Sequence, residues 1–144
     1  MPVIRLTQVI QRPVAEVFET VIHVEDFPKW NPTIKQARTL SDGPPASGSR
    51  FEMNVKGFGP VPQALQEFER DKRVKIVPEF KVMGGGHRFT FTAEGQTTRI
   101  DHELEMFPKG IFKLFTPFLG VMGRKNLRDT ASALQGYLES RARR

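Results

Sequence analysis

Residues 111–138 read IFKLFTPFLGVMGRKNLRDTASALQGYL. Ile111, Leu114, Phe115, Phe118, Leu119 and Met122 recur at steps of three and four, the spacing that lays an apolar stripe along a helix. At about 100° per residue, Ile111, Phe115, Phe118 and Met122 fall within one quadrant. Leu127, Ala131, Leu134 and Leu138 form a second stripe, displaced by roughly 150°. A straight helix that buries one face has no use for two such stripes. Pro117, Gly120 and Gly123 lie near the change, so the pattern predicts a bend or two segments. Carrying the first stripe onward gives Asn126, Ala133 and Tyr137, small or polar-tipped residues suited to a cavity wall. The expectation is that the first half meets the remainder of the fold and walls a cavity, while the second half grips a different surface.

Upstream, the chain reads mostly as strands. Residues 3–10 are rich in β-forming side chains and predict an edge strand, which Arg12-Pro13 ends. Pro13 suits the start of a helix, where its missing N–H costs nothing. Val14, Val17, Phe18, Val21 and Ile22 then follow at helical spacing. HVEDFPKWNP (23–32) carries two prolines and the only tryptophan, Trp30, and reads as a turn-rich piece or a very short helix. Strands are predicted over 34–40, 50–55, 63–70, 74–80, 89–91 and 100–106. Turn signals separate them, among them SDGPPASG (41–48), Asp71-Lys72 and Glu94-Gly95-Gln96. Gly84-Gly85-Gly86 reads as a bulge or a flexible rim, with His87 behind it as a loop residue. Ile100, His102, Leu104 and Met106 share one strand face, and Asp101, Glu103 and Glu105 take the other. Successive hairpins of this kind make an antiparallel meander, and strands followed by a long helix make an α+β fold.

Composition narrows the function classes. A chain of 144 residues is one domain's length, and residues 1–144 show no internal repeat or linker. There is no Cys, which excludes disulfides, thiolate metal sites and a cysteine nucleophile. No apolar run approaches the roughly 20 residues that span a bilayer. MPVIRLTQVIQ is short and polar for a signal peptide, so a cytoplasmic location is expected. The formal charge is +6, with Arg124, Lys125 and Arg128 followed by Arg141, Arg143 and Arg144. The plain reading is a solvated helix face and a frayed tail. The functional reading is an association of the basic C-terminus with an anionic membrane surface. No nucleic-acid motif accompanies the charge, so nucleic acid is disfavoured as a partner. His23 and Asp26 would need a third ligand to hold a metal, and no compact set supplies it. The three glycines lack the Lys-Ser/Thr ending and following helix of a phosphate loop.

One ordered set of motifs carries more. It comprises Pro13-Val-Ala-Glu-Val-Phe18, Asp26-Phe-Pro-Lys-Trp-Asn-Pro32, Gly48-Ser-Arg-Phe51, Glu67-Phe68 with Arg73, Phe89-Thr-Phe91 and Glu105-Met-Phe-Pro-Lys-Gly110. In that order, over nearly the whole chain, they resemble the START-like (SRPBCC, helix-grip) superfamily, in particular its small bacterial polyketide cyclase/dehydrase-like members. The resemblance implies a curved antiparallel sheet of six or seven strands wrapped around the long C-terminal helix. It implies a hydrophobic pocket between the two, and two short helices after the first strand that close one end. It specifies fold far better than function, because the superfamily spans lipid carriers, hormone receptors, cyclases, ring-hydroxylase subunits and co-chaperones.

Strand alternation and the helical stripe then give a candidate ligand-binding set. It comprises Phe51, Met53, Val55, Phe89, Phe91, His102, Leu104 and Met106 from the concave sheet face. Phe115, Phe118, Leu119, Met122, Asn126 and Tyr137 come from the helix, and Trp30 is a lid. The plainer reading of each apolar residue is core packing. His102 is the polar group of most interest: an imidazole on that face can orient a ligand carbonyl or act as acid or base. Its plainer reading is a structural histidine bonded to neighbouring backbone or Tyr137. The leading functional expectation is a binder or carrier of a small hydrophobic molecule, a lipid, isoprenoid or polyketide-like ring, with no cofactor or metal. The alternative is a cyclase or dehydratase using His102 with Tyr137 or Asn126. The sequence leaves monomer and homodimer equally open.

Overall fold

A computed structural model describes residues 3–56, 59–79 and 83–141. The order of elements is strand β1 (Val3–Ile10), helix α1 (Val14–Ile22), a 3-10 turn (Val24–Asp26), helix α2 (Phe27–Trp30), then strands β2 (Ile34–Thr39), β3 (Arg50–Val55), β4 (Gly59–Glu69), β5 (Arg73–Pro78), β6 (Met83–Glu94) and β7 (Thr97–Pro108). A second 3-10 turn (Gly110–Phe115) leads into helix α3 (Thr116–Arg141). The seven strands form one curved antiparallel sheet in the order β1-β7-β6-β5-β4-β3-β2. β2 to β7 are the predicted meander, and β1 is the edge strand that closes on β7.

β4 begins four residues earlier than the sequence predicts and takes in Pro60 and Pro62. The prolines sit there because of where their missing N–H groups would point. The Pro62 carbonyl accepts Glu79 N–H at 2.8 Å on the β5 side, and a residue's N–H and C=O share a side in an antiparallel strand. The ladder to β3 therefore stays whole, with Val61 opposite Met53 and Gly59 opposite Val55.

The larger correction concerns the three glycines. They do not interrupt the chain but lie inside β6, paired in unbroken register with β7, and His87 is a strand residue opposite Leu104. A Cβ on Gly85, whose φ is +109°, would overlap the Glu105 carbonyl oxygen, and one on Gly86 would stand 2.5 Å from the Ile76 carbonyl oxygen. Glycine is there so that β6 can pass close to both neighbours.

On the inner face, Val17, Phe18, Val21 and Ile22 of α1 pack against Phe89, Phe91, Ile100 and the helix residues Leu134 and Leu138. On the outer face, Arg88 bridges Glu67, Glu103 and Glu105, which confirms the alternation along β7. The Arg88 hydrogen bond holds the Glu67 carboxyl below its ordinary pKa.

α3 runs as one helix from Thr116, and the start of the first stripe, Ile111 to Phe115, lies in the 3-10 turn before it, so the two expected segments meet beside Pro117. The stripe expected to meet the sheet is exposed instead. Leu127, Ala131, Leu134 and Leu138 are all buried and grip the sheet. Across α3 from them Val121 is 64% exposed, Phe118 61% and Met122 47%, and in the 3-10 turn before the helix Leu114 is 79% exposed and Ile111 71%. Gly123 explains the packing better than a bend does. A Cβ at that position would stand 2.6 Å from both Ile4 Cδ1 and Met106 Cε, so its absence lets α3 settle onto β1 and β7. Ile4, Leu104, Met106 and Leu127 form a second small core there.

Candidate functional site

A pocket of about 140 Å³ opens between α2, the inner sheet face and the flank of α3. Its apolar wall comes from Phe27 and Trp30 on α2, Ile34 on β2, Met53 and Val55 on β3, Ile76 and Pro78 on β5, and Phe89 on β6. The polar groups are Asn31, Thr33, Gln63, His87, Asn126 and Thr130. Asn31 and Thr33 satisfy one another, the Asn31 Oδ1 accepting the Thr33 N–H at 3.0 Å and its hydroxyl at 2.8 Å. Gln63 and Thr130 are buried at the wall. The indole N–H of Trp30 is buried and has no acceptor among the described residues.

His87 is the group with most chemistry. Alternation along β6 puts His87, Phe89 and Phe91 on one face, and the β6–β7 register sets Phe89 opposite His102. One diagonal step then brings the His87 Nδ1 to 2.9 Å from the His102 Nε2. Phe89 stacks on the His102 ring with centroids 4.1 Å apart. His102 is 1% exposed, whereas the area His87 keeps lines the pocket. Burial pushes the His87 pKa down to about 4. It also holds His102 well below its ordinary value, and the neighbouring His87 adds to that effect. Both rings are therefore neutral at pH 7, one donating and the other accepting the shared hydrogen bond. With Nδ1 taken, Nε2 is the His87 nitrogen left for a guest in the pocket.

The candidate residues separate into groups. Trp30, Met53, Val55, Phe89 and Asn126 line the pocket together. His102 does not line it and stands behind His87. Phe91 is packed in the main core against Phe18 at 5.2 Å. Phe51 lines a separate groove of about 190 Å³ with Ile22 and Leu65. Leu104 and Met106 are spent on the second core under α3, and Phe118 and Met122 face outward. Tyr137 packs against the main core and lines a separate groove with Glu16, Glu19 and His23. The side chains of Phe115 and Leu119 lie outside the described residues, as do Arg143, Arg144 and the side chain of Arg141. The sequence pattern places His87 in a loop and does not single out Gln63 or Thr130. For His87 the signal was present, since it sits two residues before Phe89 and four before Phe91, but the glycines disguised the strand.

Comparison with known families now has a geometry to rest on. The family profile described as "Polyketide cyclase / dehydrase and lipid transport" matches residues 1–139. The chain belongs to this family. Among solved structures, a START superfamily protein from Mycobacterium smegmatis superposes with a TM-score of 0.78 at 19% identity, covering 96% of this chain and 97% of that one. The Zhui aromatase/cyclase from Streptomyces sp. R1128 gives 0.78 at 11% identity, covering 98% and 95%. Norcoclaurine synthase from Thalictrum flavum, in complex with dopamine and hydroxybenzaldehyde, gives 0.70 at 12% identity, covering 96% and 87%. At these identities the likeness is one of fold. Comparison with curated proteins gives no match. This START-like chain thus has the helix-grip architecture, with its pocket on the side of α3 that carries Asn126 and Thr130. No group of three or more His, Cys, Asp or Glu placed to hold a metal occurs among the described residues. No helix among them is long and apolar enough to cross a membrane.

Proposed function

We propose that this chain binds a small, largely apolar molecule carrying one hydrogen-bonding group, with the apolar body against Met53, Val55 and Phe89 and the polar group on His87. The observation that carries this reading is the neutral His87–His102 pair bordering a pocket of about 140 Å³ with apolar walls. A cavity of roughly 150 Å³ is the size that takes a benzene ring. A lipid, isoprenoid or multi-ring polyketide would therefore need the walls to part, whereas a single phenolic ring fits the space as it stands. Because the two imidazoles share one proton, His87 can turn either an N–H or a lone pair to its guest, and so can meet a carbonyl or a hydroxyl. The Trp30 N–H and the Gln63 amide are further groups a polar guest could satisfy. The absence of Cys supports a place in a reducing compartment, the cytoplasm.

Calorimetric titration with phenol and with benzene tests the reading. His87→Phe removes the nitrogen at similar volume. It should weaken phenol binding about tenfold, the worth of one hydrogen bond in a buried site, and leave benzene within about twofold. Equal phenol affinity in both proteins would refute the role of His87.

The same pair favours one catalytic alternative, a cyclase or dehydratase, because moving a proton from carbon to oxygen needs a base and an acid near a carbonyl. In that version His87 touches the substrate, His102 relays the proton, and Asn126, which lines the same pocket, holds the carbonyl. Solvent deuterium exchange into acetylacetone, accelerated by the wild type and lost in both His87→Gln and His102→Gln, would favour it. No acceleration would leave the binding reading alone.

A further inference from the structure

The end of the molecule where β1 meets α3 carries a surface that this ligand pocket does not use. Ile111, Leu114, Phe118, Val121 and Met122 are exposed there. Phe118, Val121 and Met122 lie on the side of α3 away from Leu127 and Leu134, and Ile111 and Leu114 are exposed in the 3-10 turn that leads into it. Contiguous exposed apolar surface of this kind marks a contact site. Beside it, Arg5, Arg124 and Arg128 line a groove of about 270 Å³ together with Ile4, Leu6, Val121 and Leu127. Among the described residues no carboxylate lines the groove. Arg124 and Arg128 enter no ion pair among the described residues, and the Arg5 guanidinium stands 3.7 Å from Glu103. Val121 belongs to both groove and stripe.

We propose that this face docks on an anionic phospholipid bilayer, the stripe entering the boundary between headgroups and acyl chains and the three-arginine groove receiving one phosphate-bearing headgroup. An apolar helix face bordered by cations is the composition of helices that lie in the membrane interface. The net charge of +6 draws the chain to the same surface. A second copy is a poorer occupant, because a two-fold contact through this face would set Arg124 and Arg128 against their own counterparts. The basic tail at 141–144 is not required.

Co-sedimentation of the full chain with phosphatidylcholine vesicles, with and without phosphatidylserine, reads this directly. Binding is expected only where phosphatidylserine is present, and it should fall as salt is raised. The double substitution Arg124→Glu/Arg128→Glu should weaken it on the order of thirtyfold or more, as expected for two cations near a charged surface. Leu114→Ser/Phe118→Ser should weaken it at least tenfold, and removal of residues 141–144 should change it by less than about threefold. Every changed side chain is exposed, so melting temperatures should stay at the wild-type value. Absence of binding to the anionic vesicles would overturn the proposal, as would binding unaffected by both double substitutions or lost with the tail alone. A dimer seen in ultracentrifugation and dissolved by Leu114→Ser/Phe118→Ser would overturn it too, by assigning the face to a second copy.

Discussion

Two imidazoles in an apolar interior hold their place only while neutral, and that ties the site to pH. In the unfolded chain His87 titrates near its ordinary 6.5, and in the fold burial lowers it to about 4. Its folded pKa is thus depressed. Below 6.5 the unfolded chain binds a proton that the folded chain refuses, so stability falls as pH falls through this window and levels out below about 4. Linkage gives about 1.4 kcal/mol per pH unit for His87, roughly 3 kcal/mol across the window, and His102 shifts in the same direction. Denaturant melts between pH 7 and pH 4 should show this loss, and His87→Phe should flatten it. A wild-type profile as flat as the variant's would place His87 in solvent. The sequence showed the inward face of His102, because alternation along β7 is regular. It did not show His87, because three glycines read as a break when the real constraint is close passage past the carbonyls of Glu105 and Ile76. Local propensity reports what a residue permits; here the neighbouring strands decided what it was for.

Helix α3 shows a different limit. Periodicity locates an apolar stripe, but it does not say what covers it. Two apolar stripes are legible in the sequence, although the first begins in the 3-10 turn before α3. The one carrying Phe and Met is the greasier and reads as the sheet-facing cavity wall, but the sheet contact falls to Leu127, Ala131, Leu134 and Leu138. The deciding residue is Gly123, whose missing Cβ admits Ile4 and Met106. A glycine between two stripes reads as a hinge, but here it serves as a contact. The two halves of the helix should therefore differ sharply on truncation. Leu134→Ala removes a fully buried side chain and should cost about 2–5 kcal/mol in denaturant unfolding. Phe118→Ala should change stability by no more than about 0.5 kcal/mol. Similar losses in both would mean that the first stripe is packed after all.

At the scale of the whole molecule the order of elements carried the fold. One edge strand, two short helices, a meander and a long final helix have few ways to bury their apolar faces, and the predicted α+β sheet with its gripping helix is the one adopted. The pocket was legible as a consequence of that geometry. Its size and exact lining were not, because they depend on which side chains the second core under α3 consumes. Leu104 and Met106 go to that core, and what remains open is a small space against α2 with His87 on its wall. The most direct test of this site is a ¹H–¹⁵N spectrum of the histidine rings and the Trp30 indole recorded while phenol is added. Occupancy of the pocket predicts saturable shifts at His87, smaller ones at His102 and Trp30, and none at the exposed His23. Shifts at His23 as large as those at His87, or a His87 ring that phenol leaves unmoved, would contradict it.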